Sequence, residues 1–259
     1  MEARCLAWAQ LRKKTTIRTG DLQEALKLTS RQEAKLLSRM AISGVAVRIT
    51  RGVYLIPQKI PLGGKWSAPE ALVLSELMKG CKGKYQLTGL QVFNHYGLTT
   101  QVSNQVTVYN NKISGKRTIA GMAYEFIKVP TKRLGGVEEV KTYIDVPLQF
   151  PTLGRALLDA VYDYSRFNTL PKAYDWIEKH KDNLNAMVQL LDAALNAGNT
   201  ATRRRIGYWL EKIKAPPRFS KQLLHSVPHT TWNIPFVPAR PKSGRISQRW
   251  GLVINNEKD

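Results

Sequence analysis

Cysteine is nearly absent from this chain of 259 residues: Cys5 and Cys81 are the only two. Two thiols cannot build a disulfide framework or a four-thiolate zinc site. Long apolar runs are missing as well. Nowhere do about 18 apolar residues follow one another, so no transmembrane helix is expected. The opening MEARCLAWAQLRKK lacks the apolar stretch of a signal peptide, which implies a cytoplasmic protein with reduced thiols. Acids are few: 19 Asp and Glu stand against 40 Lys and Arg, a formal charge of +21. What the chain does have is apolar material, 43% of its residues, enough for a core and too much for a disordered chain.

A surplus of this size strains a compact fold and favours polyanionic partners. Nucleic acid is the first candidate, an anionic membrane surface the second, and an acidic protein the plain alternative. Residues 1–60 carry net +8, residues 61–214 net +8 and residues 215–259 net +5. The charge is therefore spread, and folded parts must present positive faces.

Three helices and a hairpin are legible in the first sixty residues. Residues 3–12 form a short helix. Thr19 is the expected N-cap of a second helix reaching about Leu28, with Leu22, Ala25 and Leu26 inward. Ser30 and Glu33 are the expected capping box of a third, which Gly44 closes. VAVRITRGVYLIP then reads as two short strands around an Arg51-Gly52 turn. That order is the order of a winged helix-turn-helix. At about 100° per residue, Arg31, Lys35, Arg39, Ser38 and Gln32 share one arc of the third helix. Ala34, Leu36, Leu37, Met40 and Ala41 occupy the other. An ordinary surface helix mixes signs on its outer face, and this arc has no acid.

Residues 57–66 are a Pro/Gly linker, and Ser67, Pro69 and Glu70 cap a helix through about Met78. Residues 88–97 suggest a short helix. Period-two patterning from about 104 to 150 gives strands QVTVY, AYEFIKV and VKTYIDVPL, separated by NNKISGKR and PTKRLGG turns. Four helices follow, at about 153–164, 170–181, 183–197 and 200–213, the last capped by Thr200. The final segment, 215–259, is read as extended and basic, held to the second domain by Trp232, Phe236 and Trp250. The fold class is α+β. A winged helix-turn-helix domain, 1–58, precedes a larger mixed C-terminal domain, 67–259, with a small sheet and a helical bundle.

Catalytic motifs are wanting. His225 and His229 have a spacing zinc can use, but Pro228 interrupts them and no partner ligands accompany them. Gly63, Gly64 and Lys65 lack the rest of a phosphate-binding loop, and no G-x-S-x-G elbow occurs. Asp159 and Asp163, four apart, are read as surface carboxylates rather than metal ligands. No enzyme, metal or cofactor is implied. The candidate DNA-binding residues are Ser30, Arg31, Gln32, Lys35 and Arg39 on the third helix. Arg48 and Arg51 lie on the wing, and Lys13, Lys14 and Arg18 before the second helix. Arg31 and Gln32 are the candidates for base edges. Arg203, Arg204, Arg205, Arg240, Lys242, Arg245 and Arg249 form two further clusters. They suit phosphate, or else a solvated face or ion pairs to the acids at 175–192.

LLSRMAISGVAVRITRGVYLIP, KYQLTGLQVFNHYGLTTQVSNQVTVYNN, and FPTLGRALLDAVYD with the helices up to GNTATRRRIGYWLE span nearly the whole chain. In that order they resemble the AbiEi antitoxins of type IV abortive-infection toxin–antitoxin systems. The resemblance implies a repressor that binds inverted repeats in its own promoter. It also implies a C-terminal domain that counters a nucleotidyltransferase-like toxin without a stable complex. The chain is then expected to be a monomer in solution, paired on DNA, with no membrane partner. An enzyme targeted to nucleic acid by a winged helix, and a protein that grips an acidic toxin directly, remain the alternatives.

Overall fold

The computed structural model describes residues 1–59, 66–142 and 144–255. Most of the expected linker 57–66, with Gly63, Gly64 and Lys65, lies outside the described residues, as do Tyr143 and residues 256–259.

The N-terminal part runs α1 (Glu2–Leu11), β1 (Thr16–Arg18), α2 (Asp21–Leu26), α3 (Ser30–Ile42), β2 (Val47–Thr50) and β3 (Val53–Leu55). The strands form one antiparallel sheet in the order β1-β3-β2. Cys5, Leu6, Ala9, Ile17, Leu22, Leu26, Leu36, Leu37 and Met40 close a small core under α1, α2 and α3. Gly44 adopts φ +77° just past α3, the left-handed turn that glycine takes without strain. The expected arcs on α3 hold for Leu36, Leu37 and Met40, whereas Ala34 is exposed.

Alternation along the hairpin decides how this domain is mounted. Tyr54 and Ile56 face the small core. Val47, Ile49, Val53 and Leu55 face the other way and join the large core of the rest of the chain. With side chains of successive strand residues on opposite faces, the wing sheet is covered on both sides. The winged helix is thus clamped to the second part of the chain rather than tethered by a linker alone. Trp66 N–H also donates to the Gly44 carbonyl at 3.0 Å.

The remainder is α+β. It contains α4 (Glu70–Cys81), β4 (Tyr85–Thr88), α5 (Leu90–His95), β5 (Gln105–Asn110), β6 (Gly115–Ile119), β7 (Met122–Lys128), β8 (Val137–Val140) and β9 (Leu148–Pro151). Strands β4, β5, β7 and β6 make a four-stranded mixed sheet in that order, and β8 pairs with β9. Helices α6 (Leu153–Tyr162), α7 (Tyr164–Phe167), α8 (Lys172–Lys179), α9 (Leu184–Ala197), α10 (Thr200–Lys212) and α11 (Pro217–His225) follow. A last small sheet is built from β10 (Ile234–Pro235), β11 (Arg245–Ser247) and β12 (Leu252–Ile254).

Several local expectations shift. Helix α4 begins at Glu70 with no side-chain cap from Ser67 and runs to Cys81. The segment read as the NNKISGKR turn contributes β6. Asn199, not Thr200, caps α10, its side chain accepting from Thr202 N–H. The tail is not simply extended: it carries α11 and the last sheet. Phe236 and Trp250 are buried as anchors, but Trp232 is exposed. Gly207 explains the seat of Trp250, because a Cβ there would lie 2.1 Å from the indole. Gly154 likewise lets α6 approach α9 so closely that a Cβ would fall 2.2 Å from Leu190 N.

Asp159 is neither surface carboxylate nor metal ligand. It is 1% exposed and takes Arg133 at 2.5 Å, Arg155 at 2.9 Å and the Thr88 hydroxyl at 3.4 Å. Arg155 spends its remaining N–H groups on the Gly135 and Arg133 carbonyls. Burial pulls the Arg155 guanidinium below its ordinary range despite Asp159. At Arg133 burial acts the same way, but Asp159 and Tyr109 outweigh it and hold the group above that range. Asp163 accepts a short hydrogen bond from the Tyr109 hydroxyl. One carboxylate thus serves two buried guanidiniums; Arg133 Nε and Nη1 have no hydrogen-bond partner, and that guanidinium lies instead against the Tyr162 and Tyr109 rings, 4.0 and 5.1 Å from their centroids.

Candidate nucleic-acid interface

The capping of α3 differs by one residue from the expected box, and the difference shapes its outer face. Thr29 is the N-cap. Its hydroxyl accepts from Gln32 N–H at 3.3 Å, and Gln32 Oε1 accepts from Thr29 N–H at 2.9 Å. Ser30 thereby becomes the first helical residue and Glu33 is released from capping its own helix. Glu33 turns inward instead. Fully buried, it accepts from Gly20 N–H at 2.8 Å, Leu22 N–H at 2.9 Å and Gln23 Nε2 at 3.0 Å. These are groups at the start of α2, whose first amides have no intrahelical acceptors. A carboxylate there also meets the positive end of the helix dipole. Thr19 is not the α2 cap; Gly20 holds that position at φ +105°, and the Thr19 hydroxyl reaches the Gly52 carbonyl.

With its only acid consumed inside, α3 presents Ser30, Arg31, Gln32, Lys35, Ser38 and Arg39 to solvent. Arg31 and Arg39 are eight residues apart, about 12 Å along the axis. A shallow concavity of about 590 Å³ borders this face, lined by Met1, Leu28, Gln32, Lys35, Leu36, Ser38 and Arg39. The face is rich in N–H donors and lacks carboxylates, which suits phosphate oxygens and guanine edges. Gln32 has its Oε1 committed to the capping box. A bidentate adenine contact, which uses both amide atoms, would have to break that cap, so Arg31 is the better-placed base reader.

On the hairpin, Arg48 and Arg51 are exposed. Arg48 Nε makes a long contact of 3.4 Å to the Thr50 carbonyl, and Gly52 turns the tip at φ +75°. The three cations before α2 divide. Lys13 is exposed. Lys14 pairs with Asp21 at 3.5 Å and lies over the Trp8 ring. Arg18 reaches Glu76 on α4 at 3.2 Å, and Glu76 also takes Lys79 at 2.8 Å. Arg18 therefore ties the winged helix to α4. Helical arithmetic overlooked Ile42: eleven residues past Arg31, it returns to the same arc and is 84% exposed.

The two C-terminal clusters part company. Arg203 donates to the Ala194, Leu195 and Ser226 carbonyls. Arg204 reaches the Pro228 carbonyl, and Arg205 the Pro235 carbonyl. Arg204 and Arg205 are buried, and burial lowers the pKa of both. These three cap a helix end and fasten the tail; they are neither an open phosphate site nor partners of the acids at 175–192. Arg240, Lys242, Arg245 and Arg249 are exposed. Arg249 pairs with Glu211 at 3.3 Å. Among the described residues no three His, Cys, Asp or Glu side chains gather as a metal set, His225 and His229 included. Among the described residues no helix is long and apolar enough to cross a membrane.

No family model matches the chain, and no curated protein matches it. Among solved structures it is similar to the crystal structure of the RV2827C protein from Mycobacterium tuberculosis. The TM-score is 0.60 at 15% identity, over 96% of this chain and 89% of that one. At that identity the likeness is one of fold, and it covers both the winged helix and the part that follows.

Proposed function

We propose that the chain binds duplex DNA selectively through α3 and represses its own promoter from paired inverted repeats. Helix α3 enters the major groove, whose width accepts a helix. Arg31 reads a base edge, Lys35 and Arg39 hold the groove walls, and Ser30 offers its hydroxyl and amide to a phosphate at the helix start. Arg48 and Arg51 reach the adjacent backbone from the wing, and Lys13 a phosphate before α2. The resemblance to AbiEi antitoxins extends this reading: the second part of the chain counters a nucleotidyltransferase-like toxin, without a stable complex. The observation that carries the DNA reading is the acid-free face of α3, made possible by the inward turn of Glu33.

Gel shift on the chain's own upstream region, beside a scrambled duplex of equal length, tests it. Arg31→Ala should lose about 1–3 kcal/mol on the operator and less on scrambled DNA. A chain that binds both duplexes equally, and loses nothing on either with Arg31→Ala, is not a repressor of this kind. Co-expression with the product of the adjacent gene tests the antitoxin half: growth should recover without co-purification.

A further inference from the structure

Of the six tryptophans, all within the described residues, only Trp232 is exposed, at 81%. Its neighbours in the tail, Phe236 and Trp250, are almost completely buried. An indole left in water beside such thorough burial asks for a reason. The backbone under it is ordered: Trp232 N–H donates to the Thr230 hydroxyl at 3.1 Å, and Ile234 N–H to the Gly251 carbonyl at 3.0 Å. A Cβ on Gly251 would lie 3.4 Å from the Trp232 carbonyl oxygen and 3.2 Å from Arg204 Nη1. Trp232 thus sits beside the turn from Ser247 to Gly251 that carries Arg249. In the sheet order β10-β12-β11, the far strand carries Arg245, opposite Ile254, and Ile246, 53% exposed, on the other face.

Within the tail the charge has one sign, and Glu211, the acid that reaches this surface from α10, is paired with Arg249 at 3.3 Å. From Lys212 to Asn255 the sequence contains no Asp or Glu; Glu257 and Asp259 follow at the end. Arg240, Lys242, Arg245 and Arg249 are exposed here, and Lys242 and Arg245 have no ion pair among the described residues. A planar aromatic on a cationic surface is the arrangement by which proteins hold unpaired bases: the ring stacks on a base while the cations track the phosphates. A duplex hides its base faces from such a ring, whereas a single strand offers the indole a base at every phosphate that the cations track.

We propose that this surface of the tail sheet binds single-stranded nucleic acid, with Trp232 stacking on an unpaired base and Lys242, Arg245 and Arg249 along the phosphates. The site is independent of α3, so either reading can fail without the other.

The test uses the full chain and a labelled 12-mer oligouridylate at fixed salt, read by anisotropy, with poly-glutamate and a random duplex as competitors. Trp232→Ala should weaken binding about 5- to 150-fold, the range of one base–aromatic stack. Trp232→Phe should lose less, and should remove the quenching of intrinsic fluorescence that the oligonucleotide produces. Lys242→Ala with Arg245→Ala should weaken binding and flatten its salt dependence. Arg31→Ala with Lys35→Ala should leave it unchanged. The proposal is overturned if Trp232→Ala binds as the parent does, if the α3 variants carry the loss instead, or if poly-glutamate or the duplex competes better than unlabelled oligouridylate. Exposure of every substituted side chain leaves the fold intact, which an unshifted melting curve verifies.

Discussion

Replacing Glu33 separates two roles that one residue on α3 could have. If its carboxylate faced outward, it would repel phosphate, and neutralising it would tighten DNA binding. Buried as it is, it serves α2. Glu33→Ala deletes three hydrogen bonds and strands the amides of Gly20 and Leu22. Loss of an N-cap costs about 0.5–2 kcal/mol, and a buried amide left unsatisfied about 1–3 kcal/mol. Leu22 N–H is in the buried core while Gly20 is exposed, so one full penalty and one cap give about 3 kcal/mol. For a chain of this size that is a fall of about 6–12 °C in Tm. Glu33→Gln keeps one acceptor oxygen and should lose about half as much. Thermal unfolding by circular dichroism reads the stability; gel shift at a temperature where both variants are folded reads the affinity. Stability lost with operator affinity retained is the expected pair. An unshifted Tm together with tighter DNA binding would refute the inward carboxylate, and with it the account of why the face of α3 is acid-free.

Other outcomes follow from single sites. Lys35→Ala should lower the slope of log K against log salt by about 0.9 if Lys35 holds one phosphate; equal slopes would remove it from the interface. Gly207→Ala should drive a methyl into Trp250 and destabilise by about 1–3 kcal/mol or more, opening the tail to limited proteolysis; an unchanged digest would contradict the close approach. Asp159→Asn leaves two buried guanidiniums sharing a neutral amide, and should cost about 3–5 kcal/mol, seen as a lower denaturation midpoint. Cys5, buried and with its thiol raised to about 11 by burial and then by Glu33 and Glu2, stays protonated across neutral and mildly alkaline pH. Labelling at pH 8 should therefore modify Cys81 quickly and Cys5 only on unfolding; two fast thiols would show that α1 is loosely held.

What the sequence disclosed and what it withheld divide along a physical line. Signals that act within a few residues were readable: the period of α3, the glycine after it, the hairpin turn, and the boundaries of α8, α9 and α10. Signals that depend on a distant partner were not. Glu33 looked like a cap because glutamate three residues after serine usually is one, yet amides eleven and thirteen residues upstream claim it. Arg203, Arg204 and Arg205 looked like a phosphate cluster because nothing local shows that three carbonyl sets, from α9 and the tail, lie around them. The strand β6 was hidden because GKRTI is polar, and an edge strand needs no apolar alternation to pair with β7.

The hairpin combines both kinds of signal and gives the winged helix its mounting. The sequence shows two short strands around the Arg51-Gly52 turn, and what covers each face is not written in it. Tyr54 and Ile56 point to the small core while Val47, Ile49, Val53 and Leu55 point to the large one. A wing on a freely tethered domain would show polar residues at those four positions, because nothing would cover them. Their burial, together with Arg18 on Glu76 at 3.2 Å, fixes α3 against the second part of the chain. Glu76→Gln should therefore loosen the two parts without touching α3, raising hydrogen exchange in β2 and around α4. If exchange there stays level, the apolar face of the hairpin alone holds the domain and Arg18 becomes available to phosphate.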